Sequence, residues 1–319
     1  MPKGLCFGTL LLLPAAAVAV DQGSIESPTT GSATHAALME PLLQPYEPIT
    51  GGFTKDSDDA GFVDVNLSLK IRISPDNVLP RIRPFLAMTT RFGFYWGTRP
   101  GSPVIGKSYN PALLFRILAG DTLISSPDGS RSEYAEFINV GYAHESNGQL
   151  IHSQQQYQQE LLTAPDPQFA DNFIHRGWDY LEVAWKKTYV ASDISMTLDG
   201  KYFLPDGLLQ GAEDEYHSWE NNPQGKPRKA VDGLAVTAEW PTSAVDFPVN
   251  NFGFRPNLTL KYTTGYQTPL AYSTIRAEIG AHLASLPIVF WGQHGYMSSL
   301  ANYYRKVDSF GIELRFDSF

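Results

Sequence analysis

The sequence predicts an all-β fold, a transmembrane antiparallel β-barrel of about 12 strands, and three observations carry that expectation. From Gly61 onward, apolar and polar residues alternate in run after run, the period of a strand with one oily and one wet face. Aromatics make up 13% and charged residues only 18% of the chain, yet beyond the N-terminal segment no apolar run approaches the ~20 residues of a membrane helix. The alternating Phe310, Ile312, Leu314 and Phe316 lead to a terminal Phe319, the aromatic ending common in outer-membrane barrels. A β-sandwich in water would alternate too, but its exterior would carry more charge.

In chain order, Lys3 precedes an apolar stretch from Leu5 to Val18, and Ala17-Val18-Ala19 places small residues at cleavage positions. Residues 1–19 therefore read as a signal peptide cut after Ala19; the stretch is short for a membrane anchor. Cys6, the only cysteine, lies inside it, so no disulfide or cysteine metal site is expected in the mature chain. Residues 20–50, with Ser24 to Thr34 rich in Ser, Thr and Gly, read as a mobile leader. Residues 51–319 read as the barrel domain.

Its clearest strand is Gly61 to Ile73, where Val63, Val65, Leu67, Leu69 and Ile71 alternate with Asp64, Asn66, Ser68 and Lys70. Leu86, Met88, Thr90, Phe92, Phe94 and Trp96 share the next stripe, and Leu113, Phe115 and Ile117 another. A further strand ends at Ser146. Later candidates are Trp178 to Tyr189, Ile194 to Leu204, Gly233 to Trp240, Phe254 to Gly265, Tyr272 to Leu283, Ile288 to Tyr296 and Val307 to Phe316. That makes about eleven, and because such barrels prefer even counts, twelve are expected. The net charge of −9 and pI near 5.2, without any basic run, argue against a nucleic-acid partner.

Chemistry concentrates in Tyr142-Ala143-His144-Glu145-Ser146-Asn147-Gly148. A strand repeats its side-chain direction every two residues, so Ile138, Val140, Tyr142, His144 and Ser146 share one face. A base and a nucleophile thus project together beyond a stripe suited to hydrocarbon. Catalysis at a lipid surface is the natural expectation, although a His-x-Ser pair alone is weak evidence.

This heptapeptide matches the pattern Tyr-x-His-x-Ser-Asn-Gly, and the chain resembles the outer membrane phospholipase A family of Gram-negative bacteria. Ser102-Pro103 with Tyr109-Asn110-Pro111, Arg176-Gly177-Trp178-Asp179, and Gly295-Tyr296 with Ser299-Leu300 are also similar. The resemblance runs from about Tyr46 to the end. It implies an outer-membrane, twelve-stranded barrel with its active site on the outer wall, hydrolysing acyl esters of membrane glycerophospholipids at the A1 and A2 positions. Ser146 is then the nucleophile and His144 the base. The family's third residue is an asparagine, and the matching position here is Asp179. Asp179 has the parity of Leu181, Val183 and Trp185, opposite to Tyr180, Glu182 and Ala184, so it is expected beside His144 across the ladder. A carboxylate also accepts the imidazole N–H, giving a Ser-His-Asp triad.

The resemblance further implies calcium, aiding the nucleophile's own N–H in stabilising the oxyanion, at a site completed across a homodimer. The family's carbonyl ligands fall on Gly101 and Gln149. The position of its hydroxyl ligand falls on His175, whose side chain lacks oxygen, so Ser153 would serve only if the loop folds back. Gln149 to His175 is an insertion, expected outside the barrel as either a cover or passive decoration. His152 and His175 within it read as separate solvated side chains rather than a metal pair. Two alternatives stay open: a catalytically silent barrel with a structural or adhesion role, and a passive porin, for which a filled twelve-strand lumen is poorly suited.

Overall fold

The computed structural model describes residues 42–74, 79, 81–120, 122–125, 132–210, 225–241, 245–247, 252–254, 256–283 and 286–316. The expected signal peptide, most of the expected leader, and Phe319 lie outside the described residues.

Twelve strands close into one antiparallel barrel. They are β1 (Ile49–Asp56), β2 (Phe62–Arg72), β3 (Ile82–Phe94), β4 (Val104–Leu118), β5 (Glu136–Ser146) and β6 (Gly177–Tyr189), followed by β7 (Ile194–Phe203), β8 (Gly233–Pro241), β9 (Asn257–Gly265), β10 (Ser273–Leu283), β11 (Leu286–Gly295) and β12 (Val307–Phe316). Each pairs with the next, and the ring closes where Ile312 of β12 faces Phe53 of β1. Closure satisfies the backbone without water, which is what permits strands to cross a bilayer.

The eleven strands read from alternation are all present, and the twelfth is β1, Ile-Thr-Gly-Gly-Phe-Thr-Lys-Asp. Two glycines interrupt its pattern, and the second does so for a packing reason. A Cβ added at Gly52 would overlap the backbone of Ile312 and Glu313, so the closing seam requires a residue without one. The segment ahead of β1 is fastened as well: Leu43 and Gln44 pair with Ile71 and Lys70 of β2, and the Tyr46 hydroxyl donates to Glu182 at 2.6 Å. The barrel therefore begins at Ile49 rather than Gly51.

Burial follows the strand period with apolar residues outside. On β2, Leu67, Leu69 and Ile71 are exposed while Ser68 and Lys70 are buried; on β4, Leu113, Phe115 and Ile117 are exposed while Leu114 and Arg116 are buried. The interior is instead crossed by polar pairs, among them Arg91 with Asp64, Arg116 with Asn139, and Arg315 with Glu278 and Glu313. An apolar exterior around a charged interior is the inverse of a protein core in water.

Antiparallel order places the β1–β2, β3–β4, β5–β6, β7–β8, β9–β10 and β11–β12 connections at one end, with Ile49 and Phe316 at the other. At the first end, aromatic residues including Trp178, Tyr180, Phe203, Tyr296 and Tyr303 form a buried cluster. The β4 strand reaches this end through a bulge: Arg91 faces Ser108 but Gly93 faces Ile105, with Gly106 at φ +66° taking up the extra residue.

Candidate active site

The register of β5 and β6 assembles the site. Tyr142 faces Leu181, His144 faces Asp179 and Ser146 faces Gly177, all with outward parity, since Val140, Leu181 and Val183 on the same faces are exposed. Ala143 and Tyr180, with the opposite parity, are buried inside.

Direct opposition brings His144 Nδ1 within 2.6 Å of Asp179 Oδ1. An ionised carboxylate only accepts, so this contact assigns the proton to Nδ1 and leaves Nε2 as the basic nitrogen. Asp179 is 0% exposed although it stands on the outer wall. Its Oδ2 accepts from the Tyr142 hydroxyl at 2.5 Å and from the Leu209 and Gln210 N–H groups at 2.7 and 3.0 Å. Those two amides belong to the connection after β7. Their participation is not readable from the sequence; the turn-forming Pro205-Asp206-Gly207 is the only local signal.

Ser146 lies two residues beyond His144 on the same face, and its hydroxyl has no hydrogen-bond partner among the described residues. Beside it, Gly177 leaves no more room than a methyl group would fill in ordinary contact. A Cβ placed there would sit 3.5 Å from Ser146 Cβ and 3.7 Å from both His144 Cε1 and His175 Nε2. The chain then turns sharply at Gly148, φ +55°, and is locked by Asn147, which is 1% exposed. Asn147 Oδ1 accepts from Arg176 N at 2.8 Å, and its Nδ2 donates to Ile174 O at 2.8 Å.

The insertion is a small folded unit. Helix α1 (Gln154–Thr163) and the 3-10 turn Pro167–Phe173 enclose Ile151, Tyr157, Ala170 and Ile174. Burial and the Asp171 carboxylate, which accepts the Tyr157 hydroxyl at 2.5 Å, raise the Tyr157 phenol above its usual range. Ion pairing of Arg305 with Asp171, and donation from Asn302 to Asn172 at 2.6 Å, tie the unit to the β11–β12 connection.

The Ser153 hydroxyl caps α1, accepting from Gln156 N at 3.3 Å, so that oxygen is engaged within the insertion. His152 is exposed and His175 half-buried, and their rings lie tilted against each other with centroids 4.3 Å apart. Gly101 sits in the β3–β4 turn at φ +73°, at the same barrel end as Ser146, and Gln149 is buried just past the β5 turn. Among the described residues no group of three or more His, Cys, Asp and Glu side chains could hold a metal ion.

Solved structures share this fold. Outer membrane phospholipase A from Escherichia coli, in an active-site mutant form, matches with a TM-score of 0.58 and 14% identity, over 90% of this chain and 95% of that one. Another structure of the Escherichia coli protein matches with a TM-score of 0.58 and 14% identity over 87% and 99%. The calcium-bound dimer of outer membrane phospholipase from Salmonella typhi matches with 0.58 and 14% over 89% and 95%. No family model and no curated protein matches the chain. At this identity the likeness establishes the barrel architecture.

Proposed function

We propose that this protein is an outer-membrane phospholipase A of a Gram-negative bacterium, hydrolysing acyl esters of glycerophospholipids with Ser146 as nucleophile, His144 as base and Asp179 as the orienting carboxylate. The observation that carries this reading is the 2.6 Å His144–Asp179 contact on the exposed apolar wall, one outward position from the Ser146 hydroxyl, which has no partner among the described residues. A phospholipid lying in the outer leaflet has its ester bonds near the end of the hydrocarbon belt, which is where this side-chain row ends.

In the first half-reaction Ser146 Oγ attacks the ester carbonyl and passes its proton to His144 Nε2. The imidazolium then protonates the departing alcohol oxygen, releasing lysophospholipid and leaving the acyl group on Ser146. Water, activated by the same imidazole, attacks the acyl-enzyme and frees the fatty acid. Asp179 holds the Nδ1–H tautomer and balances the imidazolium charge, which would be costly unpaired beside lipid. On this reading the Ser146 backbone N–H would donate to the oxyanion.

Calcium fits the available donors in part. The Gly101 and Gln149 carbonyls would hold it, while His175 offers nitrogen where a further hard oxygen would be wanted. When bound it would polarise the ester carbonyl, and a homodimer would complete its coordination.

Turnover of detergent-dispersed phospholipid, with calcium or a chelator, tests the proposal. Ser146→Ala and His144→Ala should each lose ~10⁴-fold or more in kcat, and Asp179→Ala somewhat less. Equal turnover by wild type and Ser146→Ala would remove the serine mechanism, and no turnover by either would favour the silent barrel. Insensitivity to chelation would remove calcium alone.

A further inference from the structure

We propose that Leu204–Gln210, the segment leaving β7, is a strap that fixes the Asp179 carboxylate toward His144, with Tyr142 and Gln210 as positioning residues. This rests on the serine mechanism proposed above. The strands supply Asp179 with two side-chain partners, His144 on Oδ1 and the Tyr142 hydroxyl on Oδ2. The strap adds main-chain donors to Oδ2. It starts with Leu204 N donating to Asp179 O at 2.9 Å, then reverses through Pro205-Asp206-Gly207 and returns over the carboxylate.

The polar contacts form a closed set. Oδ2 receives Leu209 N, Gln210 N and the Tyr142 hydroxyl, leaving Oδ1 to His144. The Tyr142 oxygen in turn accepts from Leu208 N at 2.8 Å, and the Gln210 side-chain carbonyl accepts from Asp179 N at 2.6 Å. Steric fit adds to this, because a Cβ at Gly207 would overlap the Asp179 side chain. Leu208 and Leu209 are 87% and 65% exposed, so the strap presents two apolar side chains to its surroundings. An amide at position 179 could not satisfy this environment. Its NH₂ would have to meet either three donors or the imidazole N–H, so the strap selects aspartate where the resembled family has asparagine.

Kinetics of Tyr142→Phe, Gly207→Ala and Gln210→Ala, each in wild-type and Asp179→Ala backgrounds, test the strap. In the wild-type background kcat should fall about 100-fold for Gly207→Ala, through displacement of the carboxylate. Tyr142→Phe should lose about 10-fold, and Gln210→Ala a few-fold, with KM unchanged. In the Asp179→Ala background all three should cost nothing further, because there is no carboxylate left to position. Asp179→Asn should lose as much as Asp179→Ala. Losses that multiply across backgrounds, the absence of any loss, or near-normal turnover by Asp179→Asn would overturn the strap. If Gly207→Ala does not fold, Tyr142→Phe decides. Turnover surviving in Ser146→Ala would bring down the serine mechanism, and the strap's role with it.

Discussion

Asn147 shows how much of the site depends on residues that never touch substrate. Its amide holds Arg176 N and Ile174 O at 2.8 Å each and accepts weakly from Gln149 N at 3.4 Å, so it fixes the exit of β5 against the entry of β6. Asn147→Ala would strand buried backbone groups at a cost of about 2 kcal/mol or more. It should also lower kcat, because Ser146 and Gly177 would lose their common frame. Asn147→Asp keeps the acceptor and loses the donor, so it should fall between the two in both denaturant unfolding and kcat. At this scale the sequence is informative wherever strand parity applies: His144, Ser146 and Asp179 follow from counting by twos. Tyr142 has the same parity and reaches Asp179 on the next strand, but its second partner, Leu208 N, stays hidden because it comes from a connection that joins different strands. His175 and Ser153 escape such counting for the same reason, since their neighbours are set by the folding of the insertion.

Among the elements, the strands are legible because alternation over ten or so residues is a strong signal, and β1 is not because two glycines interrupt it, of which Gly52 is required at the seam. That difference is testable. Gly51→Val meets no atom within 4 Å and should leave the barrel intact, whereas Gly52→Val would press into the β12 backbone and block closure. The folded fraction after refolding into detergent micelles measures both. The short helix α2 (Arg228–Val231) at the lumen mouth allows a second test. Burial disfavours charge on Asp232 beside it, but Lys201 and Arg228 outweigh that and hold its carboxyl at about 2. The folded value lies below the unfolded ~3.9, so the stability it contributes is complete above about pH 4 and is lost as pH falls toward 2. Asp232→Asn should therefore flatten the acid side of a plot of thermal stability against pH while lowering stability near neutrality. An unchanged acid limb would mean that the Arg228 network does not contribute in this way.

For the whole molecule, the decisive property is that the exposed wall is apolar and the interior charged, and the two faces of a single strand test it. Val183 lies at the centre of β6, half exposed, between Val140 and Gly200. Ala184, the next residue, points inward opposite Asp199. If the outer wall contacts hydrocarbon, Val183→Arg buries a charge near the bilayer midplane and should cost about 2–4 kcal/mol of folding free energy in lipid vesicles. Ala184→Lys places a like charge one residue away but in the lumen, beside a carboxylate, and should cost far less. In water the ranking would reverse, since the outside would be solvent and the inside a crowded interior. Unfolding by denaturant from vesicles, compared for the two variants, therefore reads which face meets lipid. That orientation is also what the chemistry requires, because Val183 and Asp179 share a face, and only a lipid-facing Asp179 puts Ser146 within reach of a membrane ester.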